Sequence, residues 1–167
     1  MRLKMPVEEL YTDAFDARVV DWTETGASPY LNDSDFNYIT TAIDAKEEGD
    51  WTFPASAGGG LDAINSVKLR LEARVTVFDC GDVDVYVWNG AAFVLAGTFT
   101  PANAYAWFEL DVSAILTTWA KINGAEVYVH YAKIANGTCA VRRLTRKVDY
   151  TVAAGAVLRR LLVGVGL

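Results

Sequence analysis

The chain has 167 residues, 52% hydrophobic and 22% charged, with a net charge of -6. That length suits one domain with a sizeable core, and the composition excludes a disordered chain and argues against a general nucleic-acid binder. No apolar run is long enough for a membrane-spanning helix, and "MRLKMPVEEL" carries no apolar signal segment.

In chain order, "VEELYTDAF" and "RVVDWT" read as strands, "SPYLNDSDFN" as a polar turn and "YITTAI" as a strand. "DAKEEGD" is a charged turn, "WTFPAS" a short strand closed by Pro54, and "AGGG" a loop. Period two then takes over. Val67, Leu69, Leu71, Ala73, Val75 and Val77 alternate with Lys68, Arg70, Glu72, Arg74 and Thr76, which predicts a long half-buried strand. After the turn "CGD", "VDVYVWN" points Val83, Val85 and Val87 inward, and Asn89-Gly90 predicts a tight type I′ hairpin into "AAFVLAGTFT". "YAWFELDV" places Ala106, Phe108, Leu110 and Val112 on one side. Ile115, Leu116, Trp119 and Ile122 fall at helical spacing, predicting one short helix around Ser113–Lys121 with Ser113 as its cap. "AEVYVHYAKI" turns Val127, Val129 and Tyr131 inward, "ANGT" is a hairpin turn, and "CAVRRLTRKVDYTV" is its long partner. The prediction is an all-β, two-sheet β-sandwich of jelly-roll type over residues 1–152, with an apolar tail at 153–167.

Several clusters are candidates for chemistry. Asp33, Asp35 and Asn37 resemble the start of an EF-hand loop, and Asp44 falls at its twelfth position. Tyr38 stands where that loop needs glycine, so a looser calcium site competes with a turn capped by these side chains. Asn32-Asp33-Ser34 and Asn136-Gly137-Thr138 match the glycosylation sequon and, without a signal segment, read as chance matches. Cys80 and Cys139, at predicted strand ends, are either one disulfide or two buried thiols. Asp84, Tyr86 and Trp88 share one strand face, where rings could stack sugars while the carboxylate accepts hydroxyl hydrogen bonds; packed aromatics are the plainer reading. The single histidine, His130, lies mid-strand without a nucleophile elbow, and Glu72, Glu109, Asp111 and Glu126 carry no catalytic signature, so no enzyme is predicted.

Charge is unevenly spread. Residues 1–66 hold 13 acids and four bases, or -9, whereas residues 134–167 hold six bases and Asp149, or +5. Arg142, Arg143 and Arg146 are therefore expected to face the acids of a neighbouring copy, or else plain solvent. Val157, Leu158, Leu161, Leu162, Val163 and Val165 in the tail read as a strand that either completes the chain's own sheet or docks on a neighbour's.

Together "DARVVDWTETGASPYLNDSDFNYI", "GDWTF" and "TTWAKINGAEVYVHY" resemble β-sandwich proteins of tailed viruses, in which a tryptophan (Trp22 here) precedes a segment matching Tyr30, Asp33, Asp35, Tyr38 and Ile39. The resemblance implies a non-enzymatic, jelly-roll structural module of a virion fibre, decoration or shell. On that basis the expected role is a structural virion protein that associates with itself and other virion proteins. A carbohydrate-binding module using Asp84, Tyr86 and Trp88 is the alternative, and an extracellular filament or cell-surface subunit a third.

Overall fold

The computed structural model describes residues 6–16, 23–25, 38–41, 50–77, 81–133 and 135–153. Among them the strands are β1 (Val7–Tyr11), β2 (Ala14–Asp16), β3 (Thr23–Thr25), β4 (Tyr38–Thr41), β5 (Asp50–Thr52), β6 (Ala63–Val75), β7 (Gly81–Trp88), β8 (Phe93–Phe99) and β9 (Ala106–Asp111). The short helix α1 (Trp119–Asn123) follows, then β10 (Glu126–Lys133) and β11 (Cys139–Thr151).

They form a β-sandwich of two antiparallel sheets. Sheet A has the order β3-β4-β11-β6-β9, with β1 also paired to β11, and sheet B has the order β2-β5-β10-β7-β8. The pairings nest: β4 with β11, β5 with β10, β6 with β9 and β7 with β8. One long antiparallel ribbon, rolled up so that β6 meets β11 and β7 meets β10, gives this jelly roll.

Alternation drives the assembly. Val67, Leu69, Leu71, Ala73 and Val75 of β6 pack with Val83, Val85 and Val87 of β7 and with Val127, Val129 and Tyr131 of β10. Burying such side chains is worth about 1.5–3 kcal/mol each relative to exposure. Phe99 and Phe108 stack at 4.0 Å, joining the two sheets where β8 and β9 form their edges. A Cβ at Gly97 would lie 2.7 Å from Leu110 Cδ2, so a larger residue there would make that side chain shift.

The structure corrects four expectations. Strand β6 ends at Val75, and Val77 is 50% exposed. The Asn89-Gly90 connection is a wider loop, Asn89 to Ala92, in which Ala91 N–H and Ala92 N–H both donate to Asn89 Oδ1. The helix begins later than predicted, at Trp119, because Thr118 caps it by accepting from Lys121 N–H. Ser113 instead ties a turn: its N–H and Oγ donate to Asp111 Oδ1, and its Oγ accepts from Val67 N–H.

The fourth concerns Arg146, which is 0% exposed and so cannot face a partner. Leu144, Arg146, Val148 and Tyr150 are all buried along β11, which places the arginine inside the sandwich. Its guanidinium donates to Ile122 O and Pro54 O and lies over the Phe53 ring. Burial pulls its pKa down to about 10, opposed by Glu8 and Asp13.

The Ser113 bonds hold the Asp111 carboxyl below the usual range. A depressed carboxylate contributes stability above its unfolded pKa, and that contribution is lost as pH falls through the folded value. Urea midpoints should therefore separate the native chain from Asp111→Asn at about pH 5 and converge near pH 2. A gap independent of pH would contradict this account.

Candidate functional site

The two outer faces of the sandwich differ in chemistry. On sheet A, charges alternate across neighbouring strands and satisfy one another. Lys68 pairs with Glu109 at 2.5 Å, and Arg70 pairs with Glu9 at 2.5 Å and with Glu109 at 3.7 Å. The Lys68 bond holds Glu109 below the usual carboxylate range. Glu72, 5% exposed, accepts a two-point contact from Arg142 at 2.7 and 2.8 Å and a third bond from Arg143 at 3.0 Å. Arg142 and Arg74 flank Tyr105, and Arg70 lies over Trp107. Arg142 and Arg143, expected to face another copy's acids, bind Glu72 of their own chain and keep 20% and 18% side-chain exposure. The acidic front also meets the basic back within the chain, since β1 pairs with β11 and sets Glu9 opposite Lys147; Glu9 itself accepts from Arg70 and Thr145.

The outer face of sheet B is different. Two rows cross β10, β7 and β8, Tyr128–Tyr86–Leu95 and His130–Asp84–Thr98, with Trp88 opposite Phe93 at one end; Ala132 pairs with Asp82, which Thr100 just past β8 reaches through its side chain. Strand pleating puts these side chains on the face away from the buried valines. The structure therefore brings the three predicted glycan residues, Asp84, Tyr86 and Trp88, onto one half-buried surface.

It adds two rings that the sequence reading missed. Tyr86 and Tyr128 stack at 4.6 Å and 12°, Phe93 meets Tyr128 edge-on at 4.8 Å, and Trp88 meets Phe93 edge-on at 5.3 Å. Tyr128 alternates with Val127 and Val129, so its outward direction was readable. The register that sets it beside Tyr86 was not. Leu95, 48% exposed, extends the apolar patch along β8.

Beside the rings lies a polar row. Asp84 Oδ1 accepts from Thr98 Oγ1 at 2.5 Å, and Asp84 Oδ2 lies 3.2 Å from His130 Nδ1. Asp82 Oδ1 accepts from Thr100 Oγ1. The order hydroxyl–carboxylate–imidazole is not that of a catalytic triad, where the hydroxyl must bond the imidazole that removes its proton. The row holds two carboxylates in fixed orientation, able to accept further hydrogen bonds.

Other sites predicted from the sequence fall elsewhere. Asp33, Asp35 and Asn37 lie outside the described residues, as do Val157, Leu158, Leu161, Leu162, Val163 and Val165 of the tail. Cys139 is buried at the start of β11, and Cys80 lies outside the described residues. Among the described residues no group of three or more His, Cys, Asp or Glu side chains is arranged to hold a metal ion.

No protein-family model matches the chain, and no curated protein does. Among solved structures it is similar to family 29 carbohydrate-binding modules. A mutant module complexed with mannohexaose is 13% identical, with 87% of this chain and 93% of that chain covered and a TM-score of 0.48. A mutant complexed with cellulohexaose is 12% identical, with 87% and 93% covered and a TM-score of 0.47. A further family 29 module is 13% identical, with 87% and 90% covered and a TM-score of 0.48.

Proposed function

We propose that the chain is a non-catalytic carbohydrate-binding module whose ligand face is the outer surface of sheet B. One observation carries this reading: Tyr86, Trp88, Phe93 and Tyr128 gather on the outward side of that sheet, directly beside the oriented carboxylate Asp84. Sugar rings offer apolar C–H faces and hydroxyl rims, so apolar rings next to fixed acceptors match both parts. The opposite outer face favours no such ligand, because its carboxylates are engaged by Lys68, Arg70, Arg142 and Arg143.

Titration with soluble gluco- and manno-oligosaccharides, read by tryptophan fluorescence and by retardation in polysaccharide-containing gels, tests the reading. A saturable response is expected, and it should survive Trp107→Phe on sheet A. A flat response across the panel would sink the proposal, and loss of binding on Trp107→Phe would move the site to the other face.

A further inference from the structure

Resting on that reading, we infer that the ligand is a single soluble glycan chain, uncharged or amino-bearing, laid along β7 with one sugar stacked on Trp88. Ring geometry carries the first part. Coplanar rings cannot approach to 4.6 Å, so the Tyr86 and Tyr128 faces are turned toward each other and the rings stand on edge over the sheet. Phe93 is tilted 66° from Tyr128 and 60° from Trp88. A flat crystalline polymer laid on this surface would meet ring edges at several tilts, whereas one chain can follow a narrow stripe. Trp88 ends the stripe and shares only the Phe93 contact among the described ring pairs.

From Trp88 the same side of β7 continues through Tyr86 and Asp84 to Asp82, a run of roughly 20 Å along an extended strand. Thr98 fixes one oxygen of Asp84 and His130 Nδ1 lies 3.2 Å from the other, while Thr100 fixes one oxygen of Asp82. The remaining lone pairs accept from hydroxyl groups, and more strongly from an ammonium group. The full charges that period two places on the outer face of β7, β8 and β10 are Asp82, Asp84 and Glu126, all negative, beside the one imidazole, His130. A chain bearing carboxylate or sulfate groups is repelled there.

The test is calorimetric titration of the full chain with neutral oligosaccharides, their amino-sugar counterparts and the corresponding uronates, beside a pull-down on crystalline polysaccharide. Neutral and amino chains should bind, uronates at least tenfold more weakly, and the crystalline solid should retain nothing. Trp88→Ala should lose at least tenfold in affinity and Tyr86→Phe less than threefold. Trp88→Phe, expected between them, covers misfolding of the alanine variant. Asp84→Asn should narrow the gap between neutral and uronate chains. Equal binding of uronates, retention on the crystalline solid, or unaltered binding by Trp88→Ala and Trp88→Phe would overturn the inference while leaving a glycan module standing. If no saccharide of any kind binds, the broader reading falls with it.

Discussion

Replacing Arg146 by alanine should destabilise the chain by about 3–5 kcal/mol, a fall in Tm of about 10 °C or more for a domain of this size. The guanidinium sits in the core at 0% exposure, so its removal leaves a void as well as lost bonds. Pro54 O would lose its 2.7 Å donor, and Ile122 O would keep only the 3.3 Å bond from Ala125 N–H. Those carbonyls belong to the segment after β5 and to α1, so one side chain of sheet A anchors both. Arg146→Met separates the contributions. It fills most of the volume and removes the cost of a buried charge, but it cannot donate, so its loss should be about 1–2 kcal/mol. Urea unfolding of the two variants would measure this. An alanine variant within about 0.5 kcal/mol of the native chain would show that the carbonyl bonds contribute little.

Glu72→Ala should cost about 2–3 kcal/mol, somewhat less than a fully buried pair, because its arginine partners remain partly in water. The Glu72 side chain is 6% exposed, against 20% for Arg142 and 18% for Arg143. Removing the carboxylate leaves two guanidinium groups side by side, so like-charge repulsion adds to the lost bonds. Glu72→Gln keeps the shape and one acceptor and should lose about half as much. Glu109→Gln is the control: its pair with Lys68 is exposed and should change the unfolding midpoint very little. Equal effects of Glu72→Ala and Glu109→Gln would show that the buried pairing adds nothing beyond surface charge.

The interior strands of the sandwich were legible because burial on one face writes itself into the sequence at period two. Val67 to Val75, Val83 to Val87 and Val127 to Tyr131 all turn inward as predicted. Arg146 escaped because arginine reads as a surface residue, although Leu144, Val148 and Tyr150 around it kept the inward period. The register shift between Val141 and Arg143 broke the alternation just before it and hid that phase. Ser113 looked like a helix cap because serine suits both caps and turns; the choice fell to Asp111 and Val67, the second of which lies far away in the chain. The candidate site was half legible for a similar reason. Asp84, Tyr86 and Trp88 share a strand and are related by local pleating, whereas Tyr128, His130, Phe93 and Thr98 join them only through pairing between strands.

The nested pairing also governs how the chain emerges during synthesis. Strand β11 is the common partner of β1, β4 and β6, and it is the last described strand to leave the ribosome. Until then β1 lacks its strand partner and β4 has only β3, while Glu9 can already accept from Arg70 but waits for Thr145. The β3–β4 and β7–β8 pairs join consecutive strands early, whereas the β5–β10 and β4–β11 pairs close later and at longer range. A growing chain therefore carries the apolar stripes of β6 and β7 without their partners β11 and β10 until late in synthesis, and closing the roll falls to the last described strand.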